Sequence, residues 1–276
     1  AVSIITNISL EHKTYLGDTI AAITAEKAGI VKPGIPVVTG VSQKSAKAVI
    51  EKTAADRSAA LYMKGRDFRV RRNGKERFSY WGIDHRWPRM RTGLTGNHQV
   101  DNASLTLAAC EVLMRSGVEL YKENIQAGLI LNRWPGRLEV VSQNPFLILD
   151  GAHNLMAARQ LSRYLQDTLA GRRITMVAGI LDDKPYEAIL KDLVAPCERL
   201  IITRAKIDRS LPAETLAAVA KPLISDIEIV DDVCQAVRHA LATSKPDEAI
   251  CIAGSLYVVG EAKAALEDAE DSLFQV

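Results

Sequence analysis

The chain has 276 residues, 47% of them hydrophobic, and carries 35 Lys and Arg against 33 Asp and Glu, a formal charge of +2. That length suits one large or two ordinary domains with real cores, and two are expected. So even a charge gives no electrostatic footprint for nucleic acid or an anionic membrane, and any anion binding must be local.

Residues 2–8 are apolar and rich in β-branched side chains, which predicts a buried strand, and Glu11 and His12 follow it. Asp18 or Thr19 can cap a helix through Ile20, Ile23 and Ala28, closed by Gly29 and Pro33, with Glu26 and Lys27 on its last turn. Taken singly, His12 reads as a loop histidine and Lys27 as a cation complementing a helix C-terminus. A second strand is predicted at residues 35–39 and a helix at 43–56, with Ala46, Val49, Ile50 and Ala54 on its apolar side. This alternation implies a parallel sheet with helical crossovers. Residues 60–94 alternate polar and apolar around Arg72-Asn73-Gly74-Lys75, which predicts antiparallel strands at the edge of the first domain. Their many arginines read as a solvated sheet face rather than a phosphate or nucleic-acid patch.

Within residues 96–117 a helix is expected to start at Asp101 or Asn102, with Leu105, Leu107, Ala108, Val112 and Leu113 on its apolar side. A short helix at 121–131 leads to Asn132-Arg133-Trp134-Pro135-Gly136-Arg137, where Pro-Gly breaks regular structure, so the domains are expected at residues 1–135 and 136–276. Strands at 138–142 and 145–149 run into Asp150-Gly151-Ala152-His153-Asn154 and a helix, the layout of a site at the carboxyl edge of a parallel sheet. Strands at 174–178, 199–203, 227–230 and 249–252 then alternate with helices near 185–194, 212–220, 233–243 and 257–267. With right-handed crossovers they give a doubly wound domain. Ser255 falls at a helix N-terminus, which can hold an anion. By itself Arg137 is a surface residue after a turn, and His153 a helix cap.

The string ITNISLEHKTYLGDTIAAITAEKAGIVKPG, residues 5–34, closely resembles a segment of the folylpolyglutamate and dihydrofolate synthases of the Mur ligase family. Four further motifs carry the same resemblance: NHQ..NA at residues 97–103, W.GR.E at 134–139, D.AHN at 150–154 and GS.Y at 254–257. The resemblance implies a truncated central ATPase domain, a mixed sheet with helices, followed by a Rossmann-like carboxyl-terminal domain. It implies that His12 binds Mg²⁺, as one ion or two, and that Lys27 is carbamylated, becoming an anionic oxygen ligand. It places Asn102, in preference to Asn97, at the adenine of ATP, Arg137 at an ATP phosphate, and Asp150 in the ATP site. Lys27, His153 and Ser255 become the candidate catalytic residues, the last two orienting glutamate or an acyl phosphate. The implied reaction joins the carboxylate of a folate, dihydropteroate or a folyl-glutamate, to L-glutamate through an acyl phosphate, releasing ADP.

No G-x-x-x-x-G-K-[ST] loop occurs in the sequence. In the resembled family that loop lies upstream of the position of Ala1, so the chain is expected to be the carboxyl-terminal two-thirds of such a synthase and inactive alone. Its partner would be the missing amino-terminal segment or a separate P-loop chain. The alternative is a non-catalytic nucleotide- or glutamate-binding module; a cell-wall Mur ligase fits residues 10–30 and 133–140 less well. Cys110, Cys197, Cys234 and Cys251 form no CxxC pair and read as reduced core residues. No apolar run approaches the ~20 residues of a membrane helix, no secretory leader pattern is seen, and the expectation is a cytoplasmic protein with no nucleic-acid or membrane partner.

Overall fold

Alternation of strand and helix organises both halves of the chain. In a computed structural model, the structure describes residues 1–9, 17–74 and 76–273, and the chain divides into two compact units, residues 1–133 and 134–276. Glu11 and His12 lie outside the described residues, as does Lys75 of the hairpin turn.

In the first unit, β1 (Ser3–Ile5), β2 (Val37–Thr39) and β3 (Leu61–Met63) form a parallel sheet in the order β1-β2-β3. The helix α1 (Ile20–Ala28) precedes β2, and α2 (Lys44–Asp56) connects β2 to β3. Thr19 caps α1, its side chain accepting from the Ala22 amide at 3.1 Å, and the Gly29 amide closes the helix on the Glu26 carbonyl. Ile5, Ile23, Val37 and Ile50 fill the core between this sheet and its helices.

The antiparallel region is shorter than the alternation over residues 60–94 predicts. Because the 13-residue α2 returns the chain to the same end of the sheet, Leu61–Met63 joins β2 in parallel. Only β4 (Arg69–Arg72), β5 (Arg77–Trp81) and β6 (Arg86–Arg91) are antiparallel, as a separate sheet. Phe78, Tyr80, Trp87 and Met90 point inward onto α3 (Asn97–Arg115), and α4 (Lys122–Leu131) completes the unit.

Helix α3 begins at Asn97, four or five residues before the expected start at Asp101 or Asn102. Gly96 is its N-cap, with φ of 105°, a conformation open to glycine that turns the chain before Asn97. Asp101 therefore sits inside the helix, where it pairs with Lys64 at 2.5 Å and Arg72 at 2.8 Å.

The second unit is built on one six-stranded sheet in the order β11-β10-β9-β12-β8-β7. Its strands are β7 (Glu139–Gln143), β8 (Phe146–Leu149), β9 (Ile174–Ala178), β10 (Arg199–Arg204), β11 (Asp226–Asp232) and β12 (Ala249–Ala253). All pair in parallel except β7, which runs antiparallel to β8. The alternating side chains of each strand feed two cores. Phe146, Ile148, Met176 and Leu200 pack under α5 (Leu155–Thr168), α6 (Tyr186–Val194) and α7 (Ala213–Ala220). On the opposite face Leu147, Leu149, Val177 and Ile201 pack under α8 (Val233–Thr243) and α9 (Leu256–Leu273). A sheet covered on both faces explains why these strands read as unbroken apolar runs. Since β12 lies between β8 and β9, the carboxyl ends of the central strands deliver Asp150, Gly179 and Gly254 to one edge.

Candidate functional site

The site grows from the junction between β8 and the turn that precedes β7. Asp150 follows directly on β8, and its amide continues the ladder by donating to the Ile252 carbonyl of β12 at 3.0 Å. Its carboxylate is buried, 7% exposed, and accepts the Leu138 amide at 2.8 Å. Burial pushes the Asp150 carboxyl up to about 6; the Leu138 and Ala152 amides and the Arg137 and His153 charges act against that rise.

The same turn is tied to β8 a second time, by the Gly151 amide donating to the Gly136 carbonyl at 2.7 Å. Between these bonds Leu138 is held at φ of 48°, a left-handed conformation that a branched side chain adopts only when its surroundings impose it. Glu139 imposes part of it. One of its oxygens accepts the Gly136 amide at 2.7 Å, and the other meets the Lys263 ammonium of α9 at 2.6 Å.

The Gly151 carbonyl is where the polar side chains converge. Arg137 Nη1 donates to it at 3.4 Å, and His153 Nδ1 lies 2.8 Å from it. A carbonyl only accepts, so Nδ1 carries the hydrogen and, in the neutral ring, Nε2 the lone pair. A guanidinium and an imidazole are thus held side by side at the start of α5, next to a buried carboxylate. A planar guanidinium offers paired donors to phosphate or carboxylate oxygens, so the arrangement can bind an anion. Asn154, beside His153, is the N-cap of α5 and accepts the Ala157 amide at 2.8 Å. Capping therefore falls to Asn154, and His153 is not the cap.

Ser255 ends β12's loop in a different role from a surface anion binder. It is 1% exposed, and its hydroxyl accepts the Tyr257 amide at 3.1 Å, initiating α9. Gly254 before it has φ of 100°, and a Cβ there would lie 2.6 Å from the Gly179 carbonyl oxygen. Close approach of the backbones after β12 and β9 therefore requires glycine.

The remaining expected residues belong to the first unit. Lys27 occupies the last turn of α1, half-buried, and makes no ion pair among the described residues. Asn102 lies in the second turn of α3, exposed, its side-chain amide donating to Gln99 at 3.1 Å. Among the described residues no group of three His, Cys, Asp or Glu side chains is placed to hold a metal ion, and His12 is not among them. A cavity of about 780 Å³ opens at the carboxyl ends of β10 and β11 beside Arg204, Lys206, Asp231 and Asp232. None of the expected site residues lines it, and four of its charges pair with one another, Lys206 with Asp232 at 2.9 Å and Arg204 with Asp231 at 3.3 Å.

The structure brings Arg137, Asp150 and His153 to one place, and the sequence gives no sign of what holds them there. Leu138, Glu139 and Lys263 were not singled out, although Glu139 stands inside the W.GR.E string. Its bond to Lys263 spans 124 residues and leaves no trace in local patterning.

Residues 136–256 match the family described as "Mur ligase, glutamate ligase domain". The chain is 33% identical over 272 residues to the dihydrofolate synthase/folylpolyglutamate synthase of Bacillus subtilis, covering 96% of this chain and 63% of that protein. It is 33% identical to the folylpolyglutamate synthase of Lacticaseibacillus casei, covering 62% of it. Among solved structures, Escherichia coli FolC in complex with DHPP and ADP superposes with a TM-score of 0.87 at 25% identity, over 98% of this chain and 62% of that one. The Yersinia pestis bifunctional folylpolyglutamate synthase/dihydrofolate synthase, complexed with AMPPNP and Mn ion, gives 0.83 at 29% identity over 96% of this chain and 61% of that one. The chain thus spans less than two thirds of the length of each of these relatives.

Proposed function

We propose that the chain is the carboxyl-terminal part of an ATP-dependent ligase of the Mur ligase family that joins a folate carboxylate to L-glutamate, its residues 136–256 matching that family's glutamate ligase domain. The observation that carries this reading is the convergence of Arg137 and His153 on the Gly151 carbonyl beside buried Asp150.

In this reading ATP phosphorylates the folate carboxylate, and the amino group of glutamate displaces phosphate from the acyl phosphate, leaving an amide, ADP and phosphate. Arg137 neutralises charge on the phosphoryl oxygens, where fixed donors act most strongly as charge develops. Asp150 keeps the Leu138 turn, and with it Arg137, at the edge of the sheet. His153 offers Nε2 to the incoming amine or, protonated, to the acyl phosphate. Ser255 acts through the start of α9 rather than by touching substrate. Asn102 takes the adenine, its carboxamide supplying both donor and acceptor to a purine edge.

A divalent metal belongs to the same reading, because nucleotide phosphates bind such ions and the Yersinia pestis relative is complexed with Mn. The described residues do not by themselves fit one: there is no ligand cluster, and unmodified Lys27 is a cation. Carbamylation of Lys27 would convert that cation to an anion, and mass spectrometry of the native protein in bicarbonate tests it.

The chain alone is proposed to be inactive and to work with a segment or chain that carries a phosphate-binding loop. Calorimetric titration with ATP, with and without Mg²⁺, tests the nucleotide site. Binding that is lost in Arg137→Ala supports the reading, and equal binding by both proteins removes Arg137 from it. For His153, a normal glutamate KM in an active assembly carrying His153→Ala would remove the proposed contact.

A further inference from the structure

The arginines of the β4–β6 sheet are distributed more unevenly than a solvated face requires. Arg69, Arg71, Arg77, Arg86, Arg89 and Arg91 are all exposed, and the inward positions of the same strands are Phe78, Tyr80, Trp87 and Met90. Alternation along the strands therefore sends these arginines to the face opposite α3. Among the described residues none of them lies within salt-bridge distance of a carboxylate. Other arginines of the first unit behave differently: Arg66 pairs with Asp67, Arg72 with Asp101, and Arg115 with Asp84. The nearby acids Asp67 and Asp84 are thus engaged elsewhere. In a chain whose formal charge is only +2, an unneutralised cluster of this kind is a local feature.

Two further observations say that the cluster is not merely tolerated solvent surface. Arg77 and Arg91 are register partners across β5 and β6, a directly opposed like-charge pair that costs stability. Arg89 sits where the β5–β6 register shifts, at φ of 59°, a second local cost. Trp81 lies in the same face, in register with Arg69 and Arg86, whose guanidinium carbons stand 5.6 and 5.3 Å from its ring centroid. A ring already engaged by two cations is poorly placed to stack on a nucleobase, but it holds both guanidiniums rigidly for an anion.

We propose that this face docks an oligoglutamate chain, the acidic tail that a folylpolyglutamate-forming reaction would lengthen. The proposal rests on the ligase reading for the identity of its occupant. Arginines two residues apart on one strand stand ~7 Å apart, and an extended oligoglutamate, whether linked through its α- or γ-carboxyls, presents free carboxylates at a comparable ~6–7 Å spacing. Carboxylates at that pitch would meet Arg69 and Arg71 along β4 and would neutralise the opposed Arg77 and Arg91 across β5 and β6.

The test is binding of synthetic pentaglutamate, γ-linked and α-linked, to the full chain at low and high salt, with single-stranded RNA and phosphatidylserine vesicles as competitors. The expected result is pentaglutamate binding that weakens with salt and falls at least about tenfold in an Arg77→Ser/Arg91→Ser variant. The same variant should melt at an equal or higher temperature than the parent, because a repulsive pair is gone. Absence of pentaglutamate binding, unchanged affinity in the variant, a lowered melting temperature, or tighter binding of RNA or vesicles would each overturn the proposal. Peptide binding requires neither nucleotide nor turnover, so a failed ligase assay with retained peptide binding would defeat the functional reading alone. An active ligase that ignores pentaglutamate would defeat only the docking.

Discussion

Asp150 is pulled in two directions. Burial raises its carboxyl to about 6, while the Leu138 amide and the Arg137 charge favour the ionised form. Because the folded value lies above the ordinary 3.8, the folded state binds this proton more tightly than the unfolded chain does. Its contribution to stability is therefore largest in acid and declines as pH rises from about 4 to about 6, by roughly 3 kcal/mol for a shift of this size. Asp150→Asn, which keeps an acceptor for Leu138 and carries no charge, should flatten that slope and stabilise the protein at neutral pH by ~1–3 kcal/mol. Denaturant unfolding of parent and variant across this pH range checks both statements, and parallel pH profiles would contradict them. The variant should also bind ATP more weakly if Arg137 needs the carboxylate beside it. The position of Asp150 and His153 just after a strand was legible, because β8 is a continuous apolar run. The raised titration was not, since it depends on burial by distant segments.

At the scale of elements, the carboxyl edge depends on close backbone approaches. Gly254 combines φ of 100° with a Cβ position 2.6 Å from the Gly179 carbonyl, so Gly254→Ala should cost ~2–4 kcal/mol and shift the start of α9. A melting temperature equal to that of the parent would show that the strands can part without penalty. The Gly136–Glu139 turn is a second case. Glu139→Ala removes the acceptor of the Gly136 amide and strands Lys263, whereas Glu139→Gln keeps an acceptor and loses only the ion pair. Nucleotide affinity should fall in the alanine variant and largely recover in the glutamine one; equal affinities in all three proteins would leave the turn without influence on Arg137.

The elements themselves were largely readable. β9, at Ile174–Ala178, coincides with its predicted span, because a fully buried parallel strand is a continuous apolar run. The start of α3 was misplaced because Asp101 and Asn102 look like caps, while the cap is a glycine whose φ leaves no pattern in the sequence. The parallel pairing of β3 was also missed, since a three-residue strand carries too little alternation to show its direction.

For the molecule as a whole, each unit has its own cores, and each should fold alone. Residues 134–276 expressed separately should unfold in one cooperative transition, and an insoluble or non-cooperative fragment would contradict this. The first unit is held by a buried carboxylate that sequence patterning gave no reason to notice. Glu111, 0% exposed on α3, accepts from the Tyr80 hydroxyl and the amides of Ile83, Asp84 and His85, so it closes the β5–β6 connection onto the helix. Glu111→Ala would leave the buried Tyr80 hydroxyl without a partner and release the loop amides to solvent, at a cost of about 2 kcal/mol.

The most direct test of the ligase reading is glutamate-dependent ADP release by the purified chain, with Mg²⁺, bicarbonate and either dihydropteroate or a reduced folate. The expected result is no turnover by the chain alone, and turnover once a separately made amino-terminal piece of a relative carrying the phosphate-binding loop is added. Turnover by the 276-residue chain unaided would contradict the proposed dependence on such a loop, and no turnover in either arrangement would contradict the ligase reading itself.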